Sequence, residues 1–473
     1  MSSKPVRIFL VIPPVLYARQ PLIGVAHISS YLKQKGHAVK SWDLNLEQLV
    51  SNDCDSHFWK QRENCENYFR DNKSLFENWI ERILDFQPQI VGFSVWETTE
   101  YFSLKMAEMI KKKNKDIVIV CGGPTCVYFG RKVIENPYVD IVVSGEGEEV
   151  LAEVAEAYRE RGSVDFLSGC LIRKNDQIID CGSRQDIRDL DSLPYPDFSD
   201  FPLNKYLFKN HLPISFSRGC AWHCTYCSTR FRWARLRIRK AGMIYKEIVQ
   251  ALKEYADLKR FEVCDPAVNQ DLNLVSELCD LIIANDIKVE FAGFAQIRPG
   301  MDSGYLKKMR NAGFVSLNYG IESGSQNVLT SMGRPYAVSE AERVIKDTYN
   351  AGIGVTLNFI IGYPNEREED FNQTLKFVER VGNYVTNIAE PDVCGITQSD
   401  LLFNPEKYNI VFPDNNYDKW MTIDGSNTPD IRKQRQVVFN DFVKKINVAC
   451  QSLSEDRILY SKKNAPTVLR HEK

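Results

Sequence analysis

The sequence has almost no net charge: 60 lysines and arginines stand against 62 aspartates and glutamates, leaving −2. No global field then draws the chain to nucleic acid or to an anionic membrane, and any recognition by charge is local. Long hydrophobic runs are absent too. Nothing approaches the roughly 18 apolar residues of a membrane-spanning helix, so no membrane partner is expected. The opening MSSKPVRIFLVIPP lacks the basic, apolar and small-residue order of a secretory signal, and the expected location is the cytoplasm, where thiols stay reduced. Two motifs are also missing. No G-x-G-x-x-G follows the first candidate strand, which argues against a nicotinamide dinucleotide site, and no second C-x-x-C knuckle is present, which argues against a closed four-ligand zinc site.

What is present is an alternation. With 473 residues the chain is long enough for about two to three domains. From residue 6 to about 160, β-branched runs at 7–12, 38–44, 89–95, 116–122 and 140–146 alternate with amphipathic stretches such as GVAHISSYLKQKG and SLKMAEMIKKKN. That order predicts a doubly wound parallel sheet, whose ligands sit at the carboxyl ends of the strands. Those ends carry small or turn-prone residues: Pro13-Pro14, Ser94 and Thr98, Gly122-Gly123-Pro124-Thr125, and Gly145 within GEGEE. They serve either a close-lying ligand or simply tight strand–helix turns. Residues 166–211 read as a linker, opening on a short β-like stretch and then broken by three prolines in DLDSLPYPDFSDFP. Strand-like runs then return at 213–217, 261–265, 289–294, 316–321, 354–362 and 385–393. Six such units suit an incomplete barrel or an open sheet and fall short of the eight of a full one. The remainder, 401–473, is loop-rich with one helix expected at 431–453.

Thirteen cysteines occur. Ten, among them Cys54, Cys65, Cys121 and Cys170, are scattered without metal-site spacing and read as ordinary thiols. The other three crowd into SFSRGCAWHCTYCSTR, residues 215–230, as Cys220, Cys224 and Cys227. Three thiolates at this spacing can wrap one soft metal centre. A [4Fe–4S] cluster with three protein ligands leaves one iron open for a substrate or cofactor. His223 lies within the loop and is not expected to ligate.

The segment C-A-W-H-C-T-Y-C resembles the C-x-x-x-C-x-aromatic-C signature of the radical S-adenosylmethionine superfamily, placed as in that family after the first strand of the second domain. The resemblance implies that Cys220, Cys224 and Cys227 hold a [4Fe–4S] cluster, that its open iron binds S-adenosylmethionine, and that one electron yields a 5′-deoxyadenosyl radical. Tyr226 would support the adenine. FEVCDPAVNQD resembles the second-strand segment and puts Asp265 near the methionine moiety, although alanine and valine stand where an aromatic is usual. NYGIESGSQNVLTSMGR resembles the fourth-strand motif and puts Glu322 and Ser323 near the ribose or carboxylate. NFIIGYPNE resembles the fifth-strand element, with Asn358, Gly362 and Pro364 beside the adenine.

The first domain, 1–165, resembles the cobalamin-binding domain that precedes the partial barrel (212–400) in one large subclass. On that resemblance Ser94, Thr98, Gly122, Gly123, Thr125 and Gly145 are the candidate cobalamin contacts. No D-x-H-x-x-G follows the first strand, where the chain reads PPVLYARQP, so cobalamin is expected without an axial histidine; His27 and His37 read as structural. The implied function is a radical enzyme, most often a cobalamin-dependent methyltransferase, taking a small-molecule or peptide substrate and an electron donor such as flavodoxin or ferredoxin. The alternatives are a cyclase, epimerase or rearrangement enzyme with the first domain as scaffold, and a non-catalytic iron–sulfur or RNA-binding protein. For the last, only RFRWARLRIRK (230–240) speaks, since basic and aromatic residues interleave there. Arginines that partner the carboxylates of cofactor or substrate, as is usual in this family, are the plainer reading, and a nucleic-acid partner is not expected.

Overall fold

The computed structural model describes residues 4–15, 18–47, 56–162, 164, 166–233 and 235–450. Cys54 and the end of the chain lie outside them. Two compact units are present, one running to residue 217 and including 232–261, the other made of 218–231 and the residues from 262 onward.

The first unit is built on a seven-stranded sheet: β1 (Arg7–Ile12), β2 (Ala38–Asp43), β3 (Ile90–Ser94), β4 (Val118–Gly122), β5 (Ile141–Val143), β6 (Cys170–Lys174) and β7 (Gln177–Asp180), in the order β2-β1-β3-β4-β5-β6-β7. The first five strands are parallel, as the near-continuous Val/Ile runs predict for strands buried on both faces. Because β2 and β3 flank β1 on opposite sides, the winding reverses between β1 and β3, and the ligand crevice of such a sheet opens at the carboxyl ends there. Residues 170–180, read from sequence as the start of a linker, pair instead as an antiparallel hairpin on the β5 edge. Asn175 and Asp176, both at positive φ, make its two-residue turn. Among the described residues between β2 and β3 stand the α-helices Ser56–Lys60, Arg62–Asp71 and Lys73–Asp85, which bury Trp59, Phe76 and Trp79 in one aromatic core with Phe102. His27 and His37 are buried, as structural histidines would be; His37 Nε2 lies 3.4 Å from a Glu156 carboxylate oxygen.

All six strands of the second alternation are present: β8 (His211–Ile214), β9 (Arg260–Val263), β10 (Glu290–Ala295), β11 (Phe314–Glu322), β12 (Gly354–Ile361) and β13 (Asn387–Ile388). From β9 onward each pairs with the next in chain order, and β10 to β13 are parallel. Along β12 fully buried Val355, Leu357, Phe359 and Ile361 alternate with half-exposed Thr356, Asn358 and Ile360. The period of two marks one face under helices and one facing the inside of the curved sheet. The C-terminal helix Pro429–Cys450 lies close to the expected 431–453 and docks through Arg435, which pairs with the buried Glu366 carboxylate at 3.1 Å.

Candidate functional site

In the second unit the site grows from the cysteine loop. Each of its sulfurs is met by an N–H donor: the Trp222 amide and the Gln296 side-chain amide reach Cys220 Sγ, each at 3.4 Å. The Arg334 guanidinium reaches Cys224 Sγ at 3.5 Å, and the Thr229 amide reaches Cys227 Sγ at 3.5 Å. Donors on all three sulfurs suit thiolates and cluster ligands, whose charge they share. Among the described residues no three His, Cys, Asp or Glu side chains converge as a cage for a single ion. A cubane asks for no such convergence, since each cysteine binds a different iron. Burial pushes the Cys224 thiol up, and the neighbouring Arg334 works against it.

The loop is fastened from several sides. Gln270 grips it with both ends of its amide, donating to the Gly219 carbonyl at 3.2 Å and accepting from the Ala221 amide at 3.3 Å. The Thr225 amide donates to Met332 O at 3.1 Å, and its hydroxyl meets the Tyr363 hydroxyl at 2.7 Å.

Glu322 ends β11 at φ 69°, past a register shift against β12. A glutamate held in the left-handed region is strained, and such strain persists only where its surroundings fix it. Here Arg334 pairs with the carboxylate at 3.0 Å and also donates to Gly320 O. Burial raises the Glu322 carboxyl, and Arg334 and Tyr226 oppose that rise. The guanidinium lies 4.8 Å from the Trp222 ring centroid. Cys224, Tyr226, Glu322 and Arg334 thus form one group, in which Arg334 joins sulfur to carboxylate.

The other expected residues are placed differently. Asp265 is buried just past β9. Asn358, on the inner face of β12, donates to Asn318 Oδ1. The Ser323 hydroxyl is turned into the protein, 3.2 Å from the Thr374 hydroxyl and accepting from the Ser325 amide at 3.1 Å. Gly362 has φ 78°, and a Cβ there would fall 2.3 Å from Arg432 Cγ, so an arginine of the C-terminal helix covers it. Pro364 is buried beside it. Asn269, Gln270, Gln296 and Arg334 were not singled out from sequence. Arg334 closes the quoted SMGR, and Asn269-Gln270 lie inside FEVCDPAVNQD, but no spacing rule marks them.

In the first unit, Ser94 and Gly122 are register partners at the carboxyl ends of β3 and β4. Gly123 follows at φ 100°, where a Cβ would lie 2.9 Å from Val95 O, so any larger residue would break the turn. Thr125 opens the next helix, its amide bonded to Val95 O at 3.2 Å. Thr98 stands in the turn after Val95, in which the neighbouring Thr99 hydroxyl accepts the Trp96 amide at 2.9 Å. Gly145 is exposed, and a Cβ there would meet nothing within 4 Å. This edge is small and open, a surface on which a flat macrocycle can lie. No histidine occurs between residues 13 and 24. In the 230–240 run, Arg237 is buried against Glu146 at 2.8 Å and Arg239 against Glu247 at 2.6 Å. Those two arginines therefore serve the unit's own carboxylates, not a ligand's.

The superfamily model for radical S-adenosylmethionine proteins matches residues 214–378, and the model of the B12 binding domain matches residues 15–155. The chain belongs to the radical S-adenosylmethionine superfamily. As a member of that superfamily it is an enzyme that uses a [4Fe–4S] cluster and S-adenosylmethionine and requires a reductant, and its first domain is of the type that takes cobalamin. This radical S-adenosylmethionine enzyme is 24% identical over 390 residues to an uncharacterized methyltransferase of Pyrococcus horikoshii, covering 80% of this chain and 79% of the relative. It is 26% identical over 413 residues to an anaerobic magnesium-protoporphyrin IX monomethyl ester cyclase of Rubrivivax gelatinosus, covering 83% and 69%. The cobalamin-dependent radical enzyme OxsB shares its fold with TM-score 0.66 at 18% identity, over 86% of this chain and 56% of OxsB. The methyltransferase TsrM of Kitasatospora setae does so with TM-score 0.65 at 16% identity, over 85% and 76%. Among the described residues no helix is long and apolar enough to cross a membrane.

Proposed function

We propose that this radical S-adenosylmethionine enzyme is a cobalamin-dependent methyltransferase that modifies an unactivated carbon or phosphorus centre of a small molecule or peptide, with electrons from a flavodoxin or ferredoxin. When bound, the cluster and S-adenosylmethionine supply a 5′-deoxyadenosyl radical, and cobalamin carries the methyl group. Cys220, Cys224 and Cys227 hold the cluster. Tyr226, Asp265, Glu322 and Asn358 line the S-adenosylmethionine site, where the Glu322 carboxylate, oriented by Arg334, takes a hydrogen-bond donor of the cofactor. Ser323, Gly362 and Pro364 act there through the backbone. Ser94, Thr98, Gly122, Gly123, Thr125 and Gly145 would form the small-residue edge for cobalamin, and the loop after the first strand, 13–24, offers it no histidine.

The observation that carries this reading is the group in which Arg334 joins the Cys224 sulfur to the Glu322 carboxylate, in a chain that also bears a B12-binding domain. The test needs no substrate. Anaerobically reconstituted protein, loaded with reduced cobalamin and given S-adenosylmethionine with dithionite to reduce the cluster, should form S-adenosylhomocysteine in proportion to bound cobalamin, as well as 5′-deoxyadenosine. The similarity to the Rubrivivax gelatinosus cyclase favours a second reading, ring formation with the first domain as scaffold. That reading gains if 5′-deoxyadenosine forms while S-adenosylhomocysteine does not.

A further inference from the structure

Gln296 follows directly after β10 and is 94% buried, being 6% exposed. Its main chain is clamped by one side chain. The Gln296 amide donates to Asn269 Oδ1 at 2.8 Å, and the Asn269 side-chain amide donates back to the Gln296 carbonyl at 2.7 Å. Asn269 is itself fully buried, and Arg298 holds the next carbonyl, that of Gln270, at 2.7 Å. From this rigid seat the Gln296 side chain sends Nε2 to Cys220 Sγ at 3.4 Å, while its buried Oε1 has no partner among the described residues. An unmet buried carbonyl is costly, because it has given up water without gaining a donor. A side chain kept in that position is fixed by what its nitrogen does.

We infer that Gln296 is a positioning residue that sets the reduction potential of the cluster by donating N–H to the Cys220 sulfur, with Asn269 holding it in place. The inference rests on the reading of Cys220 as a cluster ligand. Reduction adds one electron to a cluster whose sulfurs already carry negative charge. An N–H dipole aimed at a ligand sulfur stabilises the reduced form more than the oxidised one and raises the potential. The Trp222 amide makes a second such contact on Cys220, but it belongs to the loop backbone and no side-chain substitution removes it. The glutamine contact is the one the sequence can vary.

The test is an EPR-monitored redox titration of the full chain, reconstituted anaerobically, without S-adenosylmethionine. Gln296→Met keeps the length of the side chain and removes the donor. It should lower the midpoint potential so that, at the wild-type midpoint, the reduced-to-oxidised ratio falls about tenfold, or about 59 mV for one electron. Asn269→Ser leaves the glutamine in place but loosens its seat, and should shift the potential the same way by less. An unchanged potential in Gln296→Met with full iron content overturns the inference. If that variant fails to hold iron, an unchanged potential in Asn269→Ser overturns it instead. Failure of the underlying cluster reading is recognisable separately, because Cys220→Ala would then keep the iron of the wild type.

Discussion

The cysteine loop of the second unit and the strand ends of the first, the two proposed cofactor sites, are built by opposite means. Around the loop, side chains with charge or hydrogen-bonding capacity are packed together: Arg334 serves a sulfur, a carboxylate and an aromatic ring, and Gln270 grips the backbone on both sides of Cys220. At the carboxyl edge of β3 and β4 there is little side chain at all, and Gly123, Gly122 and Ser94 offer backbone and room. The first site selects by chemistry and the second by shape. Losing one side chain should therefore be costly in the first, while adding one should be costly in the second.

The largest effect is expected at Arg334. Arg334→Met leaves a buried Glu322 carboxylate without its partner, and breaking a buried pair costs about 3–5 kcal/mol. A lower unfolding midpoint in urea and loss of S-adenosylmethionine binding should both follow. Restoring neutrality with Glu322→Gln in the same chain should recover part of the stability but not the binding. Full additivity of the two changes would show that the pair is not coupled.

The opposite experiment at the first edge is to add a methyl group. Gly123→Ala puts a Cβ at φ 100° against Val95 O and should cost about 1–3 kcal/mol by unfolding measurement. Gly145→Ala meets open space and should leave stability unchanged. If cobalamin lies on this edge, Gly145→Ala weakens cobalamin retention in equilibrium dialysis; equal retention by that variant and the wild type would remove Gly145 from the site.

A smaller effect tests how the C-terminal helix is docked. Burial raises the Glu366 carboxyl to about 7 in the folded chain, with Arg435 opposing. Between its unfolded value of about 4.3 and about 7, the folded state then holds more protons than the unfolded one. Stability accordingly declines as pH rises through that window. Glu366→Gln should flatten that slope in denaturant midpoints measured from pH 4.5 to 8, and an unaltered slope would assign it to other groups.

Much of this was legible in advance because it depends on local pattern. The Val/Ile runs announced both sheets, and three cysteines in eight positions announced the loop. The hairpin at 170–180 was read only as β-like, since pairing to the β5 edge is a tertiary fact that no local period records. Ser323 and Gly362 illustrate a second limit. Their motifs stand in the sequence, but the Ser323 hydroxyl is used by Thr374 and the Gly362 face by Arg432, partners 51 and 70 residues away along the chain. Gln270, Gln296 and Arg334 escape the sequence for the same reason: each acts on the loop from 49 to 110 residues further along the chain, where sequence distance hides proximity. Of the arginines of 230–240, Arg237 and Arg239 meet Glu146 and Glu247, the protein's own carboxylates, and not those of a cofactor or substrate, because both partners lie far enough along the chain that no local pattern records them.

The central claim is that Cys220, Cys224 and Cys227 together hold a redox-active [4Fe–4S] cluster, and iron and sulfide analysis combined with EPR of the dithionite-reduced full chain tests it most directly. The wild type should carry about four irons and four sulfides per chain with a reduced-cluster signal, and Cys220→Ala, Cys224→Ala and Cys227→Ala should each lose both. Zinc in the wild-type protein, or undiminished iron and signal in any of the three variants, would contradict the account.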